Sequence, residues 1–162
     1  MTGAQPALGK GRPVNERVLS LDVLHTGERL RRVYWAEGRY IPQTLREIHY
    51  LLRDHRTDEV KAIDVKLLDL LHDVHVLVGS RTSFAIVSGY RSLATNKQLQ
   101  RINPDVARHS YHTQGMAIDI RLPDRDLARL KTAALELNRG GVGYYPNADF
   151  LHVDVGPRRQ WG

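Results

Sequence analysis

His112, Asp119 and His152 are the residues of this sequence whose types and surroundings best suit shared chemistry. Cysteine is absent, so no disulfide framework, thiolate metal site or thiol nucleophile is available, and any metal must be held by imidazoles and carboxylates. Alternation in Phe150 to Val155 puts Leu151, Val153 and Val155 on one side and Phe150, His152 and Asp154 on the other. In Met116 to Leu122 the same period separates Met116, Ile118, Ile120 and Leu122 from Ala117, Asp119 and Arg121. If these strands are neighbours, His152 and Asp119 face one cleft, with small Ala117 leaving room. His112 lies in Ser110-Tyr111-His112-Thr113-Gln114-Gly115, where the glycine could let the segment fold back over that face. Two imidazoles and one carboxylate suit a catalytic zinc, because three protein ligands leave the fourth position to water. Spacing alone leaves the plainer reading open: with eight histidines in 162 residues, a His near a strand is ordinarily a surface or hydrogen-bonded group, and Asp119 a solvated acid.

The elements that must position these residues are legible in outline. Two β-like runs between Val18 and Trp35 flank Thr26-Gly27, a plausible hairpin turn. Helical spacing follows in Pro42 to Arg53 and, more strongly, in Asp64 to Val78 through Leu67, Leu68 and Leu71. Ser83 to Tyr90 suits a buried strand, and a polar helical stretch then runs to about Ile102. Asp124 to Asn138 reads as an amphipathic helix stopped by Gly140-Gly141, before the strands Val142 to Tyr145 and Phe150 to Val155. With no internal repeat, the expectation is a single α+β domain over residues 17–162, a small antiparallel sheet flanked by helices, preceded by a mobile arm at residues 1–16.

Charge and hydropathy narrow the class further. The 24 Lys and Arg against 18 Asp and Glu give a formal charge of +6, which favours polyanions without choosing nucleic acid, anionic lipid or cell wall. No helix-turn-helix or aromatic RNA-binding motif supports nucleic acid as a partner. No window reaches the roughly 18 apolar residues of a membrane span, and Met1 to Arg17 lacks the apolar stretch of a secretory signal. The sequence thus reads either as cytosolic or as a mature part without its leader.

Longer patterns connect these pieces. Ser110 to Asp119 reads Ser-x-His-x-x-Gly-x-Ala-x-Asp, Asp149 to His152 reads Asp-x-x-His, and Ser88-Gly89-Tyr90-Arg91 lies upstream. Together they resemble the D-Ala-D-Ala carboxypeptidase/dipeptidase group of zinc peptidases, which shares a fold with the hedgehog signalling domain. The ending His-Val-Asp-Val-Gly-Pro-x-Arg-x-Trp, from His152 to Trp161, is similar more narrowly to the YcbK-like and MepK-like murein endopeptidase branch. The resemblance spans Val18 to Trp161. It implies Zn2+ on His112, Asp119 and His152, Asp149 as general base, and Arg91 as the residue that binds the substrate carbonyl or stabilises the oxyanion. It also implies peptidoglycan peptides as substrate and a periplasmic or other extracytoplasmic location. Two departures bear on the base: many relatives carry Glu where Asp149 stands, and others place a His where this chain has Phe150. Since Asp149 and His152 are three apart, a regular strand would point them to opposite sides, so Asp149 belongs in the loop after Pro146-Asn147.

The remaining candidates each have two readings. Ser110 either hydrogen-bonds substrate, orients a ligand, or caps its own loop. Tyr144, Tyr145 and Trp161 either line a substrate groove or pack at the sheet end. Asp154 is a partner for His152 or a plain salt bridge, while His109 reads as a surface residue and His72 and His75 as structural. The function expected is zinc-dependent hydrolysis of peptide bonds in peptidoglycan stem peptides or cross-links; the alternative is a nonhydrolytic zinc-containing module that binds cell wall or peptide.

Overall fold

The first two strands, β1 (Glu16–Val23) and β2 (Arg29–Ala36), pair antiparallel around the turn at Thr26-Gly27, where Gly27 takes φ +73°. The structure, a computed structural model, describes residues 15–104 and 106–162; the arm expected over residues 1–16 lies outside the described residues up to Val14, and Glu16 already opens β1. A two-residue strand, β3 (Arg39–Tyr40), continues from β2. Pro42 starts α1 (Pro42–Leu51), where its missing N–H costs nothing. Asp64 caps α2 (Val65–Val78) by accepting from the Lys66 amide at 2.8 Å, and Gly79 ends it in the left-handed region. Then come β4 (Phe84–Ser88), α3 (Leu93–Ile102) capped by Ser92, β5 (Ala117–Arg121), α4 (Leu127–Leu137), β6 (Gly141–Tyr145), β7 (Phe150–Asp154) and β8 (Arg159–Trp161).

These strands form one eight-stranded sheet in the order β3-β2-β1-β4-β5-β7-β6-β8, antiparallel except where β1 meets β4 and β6 meets β8. The α+β class agrees with the sequence reading. The sheet is larger than the small antiparallel one expected, because β3 and β8 are too short for alternation to reveal them. Among the described residues no helix is long and apolar enough to cross a membrane.

One sheet face carries the core. Leu19, Leu21, Ile118, Ile120, Leu151 and Val153 are all buried against Ile48 of α1, Leu67, Leu68 and Leu71 of α2, and Leu130 of α4. Fully burying each such side chain is worth about 1.5–3 kcal/mol, which fixes the register of β5 and β7. Their alternate residues, Asp119 and His152, are thereby held on the opposite face.

Asp54, in the loop after α1, ties that loop to the start of α3. It is 1% exposed, and its carboxylate accepts from the Ser92 amide at 2.8 Å and the Arg56 amide at 3.0 Å. Burial alone would raise its pKa, but the hydrogen bonds from the Arg56 and Ser92 amides help to outweigh it and the group is held at about 2, below the ordinary 3.8. A depressed folded value stabilises the protein above the ordinary carboxylate range, and the contribution disappears as pH falls through about 2. Asp54→Asn is expected to cost about 2 kcal/mol at neutral pH, with the gap from the parent closing in acid. Urea unfolding of both proteins at pH 7 and pH 2 measures it; a gap that does not change with pH contradicts the assignment.

Candidate metal centre

Antiparallel pairing sets Asp119 of β5 directly opposite His152 of β7. His112 reaches them from a single 3-10 turn, Tyr111–Gln114. Ser110 caps that turn, its Oγ accepting from the His112 amide at 3.3 Å, and Gly115 closes it at φ +70°. A side chain at Gly115 would also run into the Ala62 carbonyl, so both conformation and space demand glycine. His112 Nε2 lies 3.2 Å from Asp119 Oδ1 and 3.2 Å from His152 Nδ1, and His152 Nδ1 lies 2.9 Å from Asp119 Oδ1.

Following the protons shows what these three atoms lack. His112 Nδ1 is 2.8 Å from the Gly89 carbonyl oxygen, which can only accept, so the ring donates there and Nε2 turns a lone pair inward. His152 Nε2 is 2.9 Å from Asp154 Oδ2 and donates to it, leaving the Nδ1 lone pair to face the same point. Two imidazole lone pairs and a carboxylate oxygen therefore converge and require a positive charge between them. Ligands about 2.0–2.1 Å from a tetrahedral zinc stand about 3.3–3.4 Å apart, close to the separations found here. The donor set fits the ion.

The charge on the cluster's own side chains follows from the same contacts. Burial disfavours the ionised Asp119, but the two imidazoles outweigh it and hold the carboxyl far below its usual range. Burial likewise disfavours a protonated His152, yet Asp119 and Asp154 reverse the balance and raise it. Asp154 is fully buried and is itself satisfied by the Gly141 and Gly156 amides and by Arg159, which donates to both its oxygens at 3.1 and 2.8 Å. It is the partner that orients His152 through the ring's outer nitrogen.

A cleft of about 610 Å³ opens over the cluster, bounded in part by Arg91, His109, Ser110, Phe150 and Trp161. The Arg91 amide donates to the His112 carbonyl at 3.1 Å, which ties the arginine to the 3-10 turn. Its Nη2 approaches Asp119 Oδ2 at 4.0 Å and its Nη1 donates to Asn96 at 3.3 Å, while the buried Nε has no partner among the described residues. Burial lowers the pKa of this guanidinium, and Asp119 partly restores it.

Not every residue singled out in the sequence converges here. His112, Asp119, His152, Arg91 and Ser110 meet at the cleft. Tyr144 does not: it is paired with Leu151 on the helix-covered face, with the Lys131 ammonium 4.5 Å from its ring centre, and the cleft position belongs to Tyr145. Asp149 lies where the loop argument put it, after the turn Pro146–Ala148 at φ +52°. Its side chain is 64% exposed and accepts from Arg121 at 2.8 Å; it is not among the residues that bound the cleft.

Tyr111 and Arg159 also line the cleft; both fall within the sequence motifs, Arg159 as the arginine of Gly-Pro-x-Arg-x-Trp, but the motifs assign neither a role. The Arg159 guanidinium lies 5.1 Å from the Tyr111 ring centre and 4.9 Å from that of Trp161. The Trp161 ring centre is in turn 5.2 Å from that of His152. One signal was available: Gly141 and Gly143 alternate on one face of β6, and a Cβ at Gly143 would strike the Trp161 ring. Two glycines at period two mark a face that another group must approach closely.

Comparison with known proteins adds the following. Residues 12–161 match the family described as Peptidoglycan L,D-endopeptidase MepK. The Peptidoglycan L,D-endopeptidase MepK of Escherichia coli (strain K12) is 39% identical over 160 residues, covering 99% of this chain and 86% of that protein. The Probable peptidoglycan L,D-endopeptidase MepK of Haemophilus influenzae is 38% identical over 146 residues, 90% of this chain and 78% of that one. Among solved structures, the Serratia marcescens L-Ala D-Glu endopeptidase ChiX matches 48% of this chain and 62% of its own, at 19% identity and a TM-score of 0.38.

Proposed function

Because the chain belongs to the Peptidoglycan L,D-endopeptidase MepK family, we propose that it hydrolyses peptide bonds in peptidoglycan stem peptides or cross-links, as a zinc-dependent L,D-endopeptidase. The observation that carries the zinc dependence is the convergence of three inward lone pairs, on His112, Asp119 and His152, at the floor of an open cleft. Zinc bound there would polarise a carbonyl and bring the pKa of a coordinated water towards ~7. The remaining work falls to this chain's own residues. Arg91, on the cleft wall with a fixed positive charge, offsets the negative charge that grows on the scissile carbonyl oxygen. Asp149 takes the proton of the attacking water, for which its carboxylate must leave Arg121. Asp154 and Arg159 keep the His152 ring aimed, and Ser110 holds the His112 turn. The peptidase domain is residues 17–162, and it acts where its substrate lies, outside the cytoplasm.

Asp149 paired with Arg121 is also compatible with a module that binds zinc and cell wall without cleaving it, so the test must separate the two. Purified murein is incubated with the zinc-loaded protein, with the chelated protein, and with the chelated protein resupplied with zinc, and soluble products are identified by mass spectrometry. Peptides cut at an L,D bond are expected in the first and third samples only. Murein that stays intact with fully loaded protein overturns the hydrolase reading, and retention of the protein on that murein favours the binding module.

A further inference from the structure

Beside the cleft lies a second hollow of about 430 Å³ that the proposed chemistry does not use. It is bounded by Lys97 and Arg101 of α3, by Arg108, and by Val106, which lines the cleft as well, so the two spaces adjoin. All three cations are exposed, and no carboxylate among the described residues pairs with any of them. Lys97 and Arg101 are four apart on a helix that contains no acid, a spacing at which like charges repel and weaken the helix. Part of the cleft wall is aromatic: Tyr145 stacks on Phe150 at 4.5 Å and its hydroxyl accepts from Trp161 Nε1 at 2.7 Å. The cleft therefore joins an aromatic wall, with Arg159 set against Trp161, to a cationic hollow through Val106.

We infer that this basic hollow is a carboxylate subsite, holding free carboxylates of a peptide whose scissile bond lies over His112, Asp119 and His152. The inference rests on the peptidase reading for the position of that bond. Cations that form no ion pair with a carboxylate among the described residues lose none there when they take an external anion, and lysine and arginine side chains hold carboxylates by charge-assisted hydrogen bonds. An occupant with carboxylates in one part and aliphatic or backbone atoms in another matches the hollow and the wall, whereas a uniformly charged polymer leaves the aromatic wall unused.

The probes are soluble peptidoglycan stem peptides with free carboxylates and the same peptides with those groups converted to carboxamides. Binding to the zinc-loaded protein is measured by calorimetry, alongside KM and kcat for each peptide. The parent is expected to bind the carboxylate form about tenfold more tightly, and the triple variant Lys97→Gln, Arg101→Gln, Arg108→Gln to lose that preference through KM with kcat held. Because the three side chains are exposed, the variant's thermal unfolding should match the parent's. A parent with no preference, a variant that keeps it, or inorganic polyphosphate displacing both peptide forms equally overturns the subsite. If neither peptide is cleaved yet the carboxylate preference depends on the three cations, the subsite stands and the peptidase reading falls.

Discussion

His152→Ala is expected to lose stoichiometric zinc and to reduce turnover of peptidoglycan fragments on the order of a thousandfold or more, since metal-derived charge stabilisation contributes several kcal/mol to such a barrier. The substitution removes one of the three inward lone pairs and leaves only His112 and Asp119, too few for the three-ligand arrangement of a catalytic zinc. It leaves the packing nearly untouched: Leu151 and Val153, on the other face of β7, still fill the core, and Asp154 keeps Arg159 and two backbone amides. Zinc content after dialysis, thermal unfolding and hydrolysis on one preparation separate loss of metal from loss of fold. A folded variant that retains one zinc per chain and most of its turnover refutes the ligand assignment.

His152 and Asp119 were legible in sequence because β-strand alternation is strict. Once Leu151, Val153, Ile118 and Ile120 are committed to the core, the residues between them have only one face left. The same period separates the two tyrosines of β6. Tyr144 pairs with Leu151, so it shares the helix-covered face, and the cleft takes Tyr145 with Phe150. His112 was harder, since nothing periodic marks a 3-10 turn; the Ser110 cap and the glycine at Gly115 are its only local signs. Interactions between distant segments left no trace at all. Asp54 under the start of α3, and Arg121 on Asp149 from 28 residues away, depend on how the sheet and loops assemble rather than on any local pattern. The basic hollow was equally hidden, as it needs α3 and the segment through Arg108 to close on each other. The overall charge of +6 announced only that some such surface exists.

Asp149→Asn tests the general base and carries the second large effect. If Asp149 accepts the proton of the attacking water, removing its basicity lowers kcat by about 10²–10⁴-fold while zinc stays bound. The backbone tolerates the change, because asparagine, like aspartate, occupies the left-handed region that Asp149 adopts at φ +52°. Structural loss is small as well: the pair with Arg121 is largely exposed, and such pairs contribute about 0–1 kcal/mol. Arg121→Ala makes the complementary case. It frees the Asp149 carboxylate without altering it, so turnover should hold or rise, whereas a purely structural role for the pair predicts equal losses in both variants. Single-turnover rates across pH complete the argument, since the acid limb set by the base must vanish in Asp149→Asn and persist in Arg121→Ala. Unchanged turnover in Asp149→Asn with zinc in place assigns the proton to another group.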